Sequence, residues 1–406
     1  EYEGDGVMSW AYKTLNELGT VSRGRSRHRP RNDKCLFGGK YPFVQTADVK
    51  AANLYLTDYT ETYNEKGLEQ SRLWKAGTLC ITIAANIADT AILGIDACFP
   101  DSIMGFAPFE GVSNAKFIKY AFDMLQRDIK QISQGTAQDN LSWQKLETIK
   151  FPAPDVEIQD KIVEILGTFD DLIENNQKQI KLLEEAAQRL YKEWFVDLRF
   201  PGYENCKIVD GVPESWTQKK ISDLGKIITG KTPSTLKKQY YGGNIPFVKI
   251  PDMHDCVFPI TTEVSLTNEG ANTQKNKYIP KNGIMVSCIA TVGLVNIATE
   301  LCQTNQQINS IILNDERDLY YVYSSMKRLK ELLEGVGSNG ATMTNVNKTK
   351  FGNLEVVYPS DELRKLYYNY CKPIFEKIYA LSRNIKKLTQ ARDCLLPKLM
   401  SGEIEV

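Results

Sequence analysis

The chain has 406 residues, 42% of them hydrophobic and 25% charged, which is the composition of a folded protein with about two to four domains. The sequence has no run of about 18 apolar residues and therefore predicts no transmembrane helix. Its nine cysteines form no C-x-x-C pair and only two histidines are present. We therefore expect reduced thiols, a cytoplasmic location, no metal site and no histidine-based catalytic triad.

Positive charge is concentrated near the start of the chain, although the 50 basic and 50 acidic residues cancel overall. Seven cations and one anion lie between Arg23 and Lys40. The net charge therefore says nothing about a nucleic-acid partner, whereas the distribution of charge gives this segment a strong local field.

An internal repeat spans the whole chain at a shift of about 205 residues. Asp5-Gly6-Val7 recurs as Asp210-Gly211-Val212, and Pro42-Phe43-Val44 recurs as Pro246-Phe247-Val248. In the same comparison, we align Cys98 with Cys302. Because the order of the matches is preserved along the chain, the sequence predicts a tandem duplication.

The hydrophobic pattern changes after about 155 residues of each repeat. The first part mixes short apolar runs with Gly, Pro and Asn, which predicts strands, loops and a few short helices. The last part has seam positions spaced by four and three over several heptads, which predicts a coiled-coil helix. The predicted seam consists of Ile162, Phe169, Ile173, Asn176, Ile180, Leu183 and Leu190, and of Ile374, Ile378, Leu381, Ile385, Leu388 and Leu395.

The predicted fold class is α+β, with two globular domains at residues 1–155 and 206–359. Long helices at residues 156–200 and 360–402 separate the domains and form an antiparallel coiled coil, so that the tandem repeat gives pseudo-twofold symmetry. We expect a first helix of about 38 residues and expect Pro397 to end the second helix one turn early. The alternative is that each amphipathic helix lies on its own domain.

The segment from Gly225 to Thr232 fits the G-x-x-x-x-G-K-T pattern of phosphate-binding loops. Such a loop has to follow a buried strand and open a helix, and the flanking sequence favours neither. The first repeat keeps both glycines but has Arg25-Ser26 in place of Lys231-Thr232. A glycine turn with a cation and a hydroxyl suits a contact to a DNA phosphate. A nucleotide-binding enzyme that uses Gly230-Lys231-Thr232 remains an alternative, as does a coiled-coil scaffold without a DNA role.

Polar loops supply the remaining candidates for DNA recognition, because amides and hydroxyls read base edges and bind phosphates. The loops differ between the repeats while the glycines and prolines around them are shared. The predicted DNA-binding residues are Arg23, Arg25, Ser26, Arg27, Gln134, Thr136 and Gln138 in the first repeat, and Lys231, Thr232, Ser234, Gln306, Gln307, Asn339, Thr342, Thr344 and Asn347 in the second.

This combination of features resembles the specificity subunit of a Type I restriction–modification system. The motifs that carry the resemblance are the segments 230–234, 242–248 and 304–309, the end of the first long helix at 189–197, and the C-terminal segment 395–404. The first repeat departs from the pattern, because Asp101-Ser102 stands where the second repeat has Gln306-Gln307.

The resemblance implies a sequence-specific DNA-binding adaptor without catalytic activity. Each globular domain would be a target recognition domain that reads one half of a bipartite, asymmetric DNA sequence. The helices would set the spacer and, with nearby surfaces, dock two methyltransferase subunits, which restriction subunits then join. Under this resemblance the chain itself holds no cofactor, and S-adenosylmethionine, ATP and Mg²⁺ belong to the partner subunits.

Overall fold

The structure is a computed structural model that describes residues 10–83, 89–132, 143–329 and 346–406. The chain forms two compact units. The first unit contains Glu1–Ile173 together with Leu388–Val406, and the second contains Glu174–Lys387. Both long helices therefore contribute residues to both units. Among the described helices, none combines the length and apolar character needed to cross a lipid bilayer.

The first repeat combines three small sheets with short helices and ends in a long helix. Its elements are β1 (Ala11–Thr14), α1 (Leu15–Leu18), β2 (Gly19–Arg23), β3 (Phe37–Phe43), α2 (Thr46–Ala51), β4 (Tyr55–Leu56), β5 (Glu61–Tyr63), α3 (Glu65–Glu69), β6 (Leu73–Trp74), β7 (Leu79–Thr82), β8 (Thr90–Leu93), β9 (Ala97–Cys98), β10 (Ile103–Pro108), α4 (Ala115–Ile132), α5 (Trp143–Thr148), β11 (Lys150–Ala153) and α6 (Val156–Phe195). The strand orders are β2-β10-β7-β8-β4, β5-β3-β9-β6 and β1-β11.

The second repeat has nearly the same order of elements. They are β12 (Ile208–Val209), β13 (Val212–Pro213), β14 (Thr217–Lys220), α7 (Ile221–Leu224), β15 (Gly225–Thr229), β16 (Tyr241–Val248), β17 (Val264–Leu266), α8 (Asn268–Asn272), β18 (Ile284–Ser287), β19 (Val295–Ile297), β20 (Gln303–Thr304), β21 (Ile308–Leu313), α9 (Leu319–Lys327), α10 (Lys348–Gly352), β22 (Glu355–Tyr358) and α11 (Asp361–Met400). The strand orders are β15-β21-β18-β19, β17-β16-β20, β14-β22 and β12-β13.

The strand register confirms the duplication. Ile103 of β10 pairs with Thr82 of β7, and Ile308 of β21 pairs with Ser287 of β18, so both partners are shifted by the same 205 residues. The antiparallel strands β2-β10-β7-β8 of the first repeat are therefore equivalent to β15-β21-β18-β19 of the second, and the first sheet has β4 as an additional parallel strand.

The alignment of Cys98 with Cys302 is wrong by one residue. In the first repeat, Phe43 pairs in parallel with Cys98, whereas in the second repeat the equivalent Phe247 pairs with Gln303. The structural counterpart of the apolar Cys98 is therefore a buried glutamine. The sequence comparison matched Cys98 to Cys302 because the residue types are identical, and it therefore missed the neighbouring Gln303.

The helices α6 and α11 each have 40 residues and pair in an antiparallel way. In the first unit, Ile162 near the start of α6 shares a core with Leu396 and Leu399 near the end of α11. In the second unit, Trp194 near the end of α6 shares a core with Tyr367 near the start of α11. The pairing of each start with the other end confirms the antiparallel prediction.

The second long helix does not end early at Pro397, contrary to the prediction. It continues to Met400, and the amide of Ser401 still bonds to the carbonyl of Pro397 at 3.0 Å. A proline removes one helical hydrogen bond, but the residues after it are free to continue the helix when packing favours it. Here Leu399 and Met400 are buried in the core of the first unit.

All the predicted seam residues are buried or half-buried. Ile162, Ile173, Ile378 and Leu381 are buried, and Phe169, Asn176, Ile180, Leu183, Leu190, Ile374, Ile385, Leu388 and Leu395 are half-buried. The helices bury additional aromatic residues outside this list, such as Tyr367 and Phe375. Packing of the helices against the globular domains adds these contacts to the seam.

A buried ion pair joins the long helices in the first unit. The Arg392 guanidinium of α11 contacts a carboxylate oxygen of Asp170 on α6, and the Tyr120 hydroxyl of α4 donates to the other oxygen. At the equivalent positions of the second unit lie Phe375 and Ala187, which are both part of an apolar core. One junction of the helix pair is therefore charged and the other apolar.

Candidate nucleic-acid interface

The loop that follows β15 brings three of the predicted DNA-binding residues together. The amide of Lys231 donates to the carbonyl of Thr304 at 2.9 Å, which fixes the loop against the end of β20. The Thr232 hydroxyl donates to Oε1 of Gln306 at 2.8 Å. The side chain of Lys231 is exposed and has no ion pair within the described part of the chain. A free cation thus lies beside a hydroxyl and an amide.

The Gly225–Thr232 segment does not have the geometry of a phosphate-binding loop. Gly225–Thr229 is itself strand β15, and the next helical segment after Thr232 is the 3-10 turn Lys238–Tyr240. A Cβ atom at Gly230 would lie 2.1 Å from the carbonyl oxygen of Asn305. This glycine is therefore required by the close approach of two backbones, and the described segment from Gly225 to Tyr240 opens no α-helix whose N-terminus could bind phosphates.

The equivalent loop of the first repeat follows β2. The amide of Arg25 donates to the carbonyl of Phe99 at 3.1 Å, as Lys231 does in the second repeat. The side chains of Arg23, Arg25 and Arg27 are exposed, and none of them has an ion pair among the described residues. Ser26 is buried, with 7% of its surface exposed, and points away from solvent. The loop therefore presents three arginines.

Two other cations of this basic segment have local partners. Arg31 forms an ion pair with Asp101 at 2.8 Å, and Arg29 donates to the carbonyl of Ser26 at 2.7 Å. Asp101 stands at the position of Gln306 in the second repeat, so the same place holds an acid in one repeat and an amide in the other. The two loops thus share a backbone frame and differ in chemistry.

His28, Asp33 and Cys35 lie together at the edge of this loop, and their potential metal-ligating atoms are within 4.8 Å of one another. Asp33 accepts hydrogen bonds from the Cys35 amide at 3.0 Å and from His28 Nε2 at 2.8 Å. The bond from the Cys35 amide, followed by that from His28, lowers the pKa of Asp33 to about 2. These hydrogen bonds account for the cluster, because both carboxylate oxygens already have partners.

The remaining predicted residues have different environments. Gln307 accepts a hydrogen bond from the Asn305 side chain at 2.9 Å, and Asn347 caps α10 by accepting from the Lys350 amide at 2.9 Å. Ser234 is exposed. Six of the predicted residues lie outside the described residues: Gln134, Thr136, Gln138, Asn339, Thr342 and Thr344.

The sequence analysis missed the buried glutamines beneath these loops. Gln274 and Gln303 are 5% and 0% exposed, and the side-chain amide of Gln274 donates to the carbonyl of Lys231 at 2.7 Å. In the first repeat, Gln70 accepts from the Arg27 amide at 2.7 Å. No local pattern distinguishes a buried glutamine from an exposed one. The repeat spacing gave no signal either, because the counterpart of Gln274 in the first repeat is Ser71, which donates to the carbonyl of Arg25 at 2.9 Å.

Comparison with known proteins gives a consistent result for both repeats. The family model described as Type I restriction modification DNA specificity domain matches residues 8–185 and 213–390. Both ends of the second match lie 205 residues after those of the first. The two matches together span most of the chain.

Curated relatives have names of the same kind. The Type I restriction enzyme HindI specificity subunit of Haemophilus influenzae is 36% identical over 329 residues, which cover 65% of this chain and 71% of that protein. The MjaIX specificity subunit of Methanocaldococcus jannaschii is 26% identical over 98% of this chain and 94% of its own. A crystal structure of a Type I restriction–modification S subunit from M. genitalium has the same fold, with a TM-score of 0.57, 14% identity and 98% coverage of both chains.

Proposed function

The chain belongs to the family of Type I restriction–modification DNA specificity proteins, and from that premise we propose that it reads a bipartite DNA target. It is the non-catalytic specificity subunit of such a system and has two DNA recognition domains. Under our proposal, each domain contacts one half of an asymmetric sequence in double-stranded DNA.

The observation that carries the proposal is the pair of equivalent loops after β2 and β15. Each loop is fixed to the same neighbouring strand end through its second residue, at 3.1 Å for Arg25 and 2.9 Å for Lys231. The polar side chains at the two loops differ: three exposed arginines lie at the first, and exposed Lys231 with half-buried Thr232 lies at the second, beside the exposed Gln306 that follows β20. A shared frame with different polar groups supports two modules that read different sequences.

The helices α6 and α11 are proposed to set the spacer between the two half-sites. A helix of 40 residues is about 60 Å long at 1.5 Å per residue, and coiled-coil pairing makes it stiff. Because each helix contributes to both units, a change in its length is expected to change the spacing that the protein accepts.

Catalysis is proposed to come from partner subunits. Two methyltransferase subunits would dock on the helices and nearby surfaces, bring S-adenosylmethionine and methylate adenine. Restriction subunits would then join and use ATP and Mg²⁺ for translocation and cleavage. We propose a cytoplasmic location, where this complex would meet the DNA that it modifies.

Sequencing of methylated adenine tests the proposal. The chain is produced together with its methyltransferase subunit in cells that lack other adenine methylation, and the modified positions are mapped on genomic DNA. We expect one motif with two specified halves and an unspecified spacer of constant length. A continuous motif, or methylation that is independent of sequence, would contradict the proposal.

A further inference from the structure

In the first repeat, Gln70 holds the backbone of the loop that follows β2. Its Oε1 accepts hydrogen bonds from the amides of Arg27 at 2.7 Å and His28 at 3.1 Å. Its Nε2 is buried and lies near the Tyr63 hydroxyl. The adjoining Ser71 hydroxyl donates to the carbonyl of Arg25 at 2.9 Å. Two consecutive residues after α3 thus hold the loop at three backbone atoms.

In the second repeat, Gln274 holds the equivalent loop with the opposite end of its amide. Its Nε2 donates to the carbonyl of Lys231 at 2.7 Å and to Oε1 of Gln303 at 2.7 Å. Its Oε1 is buried without a partner among the described residues. Gln303 is held in turn, because its Nε2 donates to the carbonyl of Ala271 at 2.9 Å. The loop is therefore connected to α8 through two buried amides.

The orientation of each side-chain amide follows from its backbone partner. Only an oxygen accepts from the Arg27 and His28 amides, and only an N–H donates to the Lys231 carbonyl. Gln70 therefore acts as an acceptor and Gln274 as a donor. Gln70 lies directly after α3, whereas the counterpart of Gln274 in the first repeat is Ser71. The amides of Ser71 and Gln274 bond to the carbonyls of Leu68 and Ala271, and both side chains donate to the carbonyl of the second loop residue. The two glutamines therefore contact their loops from adjacent positions and with opposite hydrogen-bonding roles.

We propose that Gln70 and Gln274 are positioning residues, each of which fixes the DNA-contacting loop of its own repeat and thereby determines discrimination at one half-site. This inference rests on the proposed function. Neither glutamine touches DNA in this account. Each acts through the backbone of the loop, so that the arginines of one loop and the Lys231-Thr232-Gln306 group of the other are presented in one conformation.

The physical reason is the precision that base and phosphate contacts require. A recognition group has to be held within about 0.5 Å of its working position to discriminate between partners. A buried backbone group that loses its hydrogen bond is left unsatisfied, so the loop is expected to leave this conformation when the glutamine is removed. The loss should be confined to one repeat, because the hydrogen-bond partners found for each glutamine among the described residues lie in its own repeat.

Four variants separate this role from general packing. Leucine has nearly the shape of glutamine but no polar side-chain atoms. Gln70→Leu and Gln274→Leu therefore remove the hydrogen bonds from the side chain to the loop backbone. A carboxylate accepts hydrogen bonds but donates none. Gln70→Glu is therefore expected to keep the hydrogen bonds to the Arg27 and His28 amides. Gln274→Glu places an acceptor against the Lys231 carbonyl and is expected to lose that hydrogen bond. A purely structural role would not predict opposite outcomes for the same substitution.

The first measurement is amide hydrogen exchange on the full chain, which needs no DNA. Gln70→Leu should accelerate exchange at Arg27 and His28 by about 3- to 10-fold, the effect of one lost net hydrogen bond, while Gln70→Glu should not. Gln274→Leu should accelerate exchange in the loop at Lys231. Gln70 is half-buried, so the two Gln70 variants should fold even where Gln274→Glu does not. Unchanged exchange in Gln70→Leu would overturn the proposal.

The second measurement maps methylated adenine for each variant in complex with the methyltransferase. We expect Gln70→Leu to relax discrimination by at least about 10-fold in one half of the motif only, and Gln274→Leu to do so in the other half. Gln70→Glu should retain the wild-type motif. Faster exchange with an unchanged motif would overturn the positioning role and leave the proposed function intact. A wild-type chain without any bipartite motif would overturn both.

Discussion

Lys231 and Arg25 occupy the same place in the two repeats, and each has an exposed cationic side chain while its backbone amide is hydrogen-bonded. A cation held in this way is suited to a phosphate, which positions a protein on DNA without reading its sequence. The neighbouring Gln306 has a different potential role, since an amide has both a donor and an acceptor for a base edge.

Replacing Lys231 should weaken binding to all duplexes to a similar extent. The slope of log affinity against log salt concentration should decrease by about one unit in Lys231→Ala, because one fewer counterion is released on binding. The measurement is a salt titration of the complex with methyltransferase on an unmethylated duplex. The control is Lys226→Ala, which removes an exposed lysine of strand β15, before the loop that contains Lys231. This variant should leave the salt slope unchanged. An unchanged slope in Lys231→Ala would contradict the phosphate contact.

Replacing Gln306 should have a different effect from replacing Lys231. If its amide reads a base edge, Gln306→Ala should reduce discrimination at one base position by about 1–3 kcal/mol and leave the salt slope unchanged. Relative binding to duplexes that differ at single positions measures this effect. Uniform weakening across all sequences would instead assign Gln306 to the DNA backbone.

At the residue scale, the sequence predicted the loop but not the hydrogen bonds that hold it. The paired glycines identified the loop in both repeats, because each repeat retains a glycine where two backbone segments approach closely. Gly230 is an example, since a Cβ atom there would collide with the carbonyl oxygen of Asn305. The hydrogen bonds from the glutamine side chains to the loop backbones could not be predicted. Gln70 and Gln274 are the same residue type with opposite roles, and the role depends on which backbone atom the fold brings near.

The helices α6 and α11 contact each other through an ion pair in the first unit and through apolar residues in the second. Arg392 is 27% exposed and Asp170 is 7% exposed, so their ion pair lies largely within the core of the first unit. In the second unit, the counterparts of Asp170 and Arg392 are Phe375 and Ala187, which are apolar. A buried ion pair fixes which side chains must face each other, even where it adds little net stability.

Removing one partner of this pair should destabilise the helix junction. Arg392→Met leaves Tyr120 as the one donor to the buried Asp170 carboxylate among the described residues. We expect a loss of about 2–4 kcal/mol in the free energy of unfolding, below the value for a fully buried pair because Arg392 is partly exposed. Chemical denaturation measures the loss. Lys387→Met, at an exposed lysine of the same helix, should change stability by less than about 0.5 kcal/mol.

The double variant Asp170→Phe with Arg392→Ala reproduces the residues of the other junction. It should recover most of the stability that Arg392→Met loses, since no buried charge remains unpaired. If Arg392→Met were as stable as the wild type, the ion pair would have no structural role in the first unit.

Changing the length of the helices should change the accepted spacer. Four residues inserted after Gln179 add about 6 Å and roughly one turn, so we expect a spacer longer by one or two base pairs. A matching insertion after Asn384, 205 residues later, should rescue assembly if the single insertion prevents it. Four residues inserted after Gly202, in the exposed turn beyond α6, serve as the control and should leave the spacer unchanged. Methylation mapping measures the spacer, and an unchanged spacer in an active complex would contradict the proposal that the helices set its length.

At the element scale, heptad spacing predicted both long helices, and the whole domain that connects them permitted the antiparallel pairing that the structure has. It did not predict that α11 continues through Pro397, because tertiary packing of Leu399 and Met400 outweighs the lost helical hydrogen bond. Nor did it predict the aromatic residues, such as Tyr367, that pack against the second domain. Those contacts depend on the surface that a globular domain offers, which heptad spacing does not contain.

For the whole molecule, duplication is the feature from which the proposed function follows. Two copies of one domain match the same family model at a constant shift, and their loops share a frame while their polar groups differ. Recognition by such a protein should therefore be modular. Each half of the target would depend on one domain, and the distance between the halves on the helices.

Replacing one domain tests this account most directly. Residues 1–155 are exchanged for the equivalent domain of a relative that directs methylation of a different motif, and methylated adenine is mapped for the resulting complex. The account predicts that one half of the motif changes to that of the relative, while the other half and the spacer length stay the same. A change in both halves, or a change in neither, would contradict it.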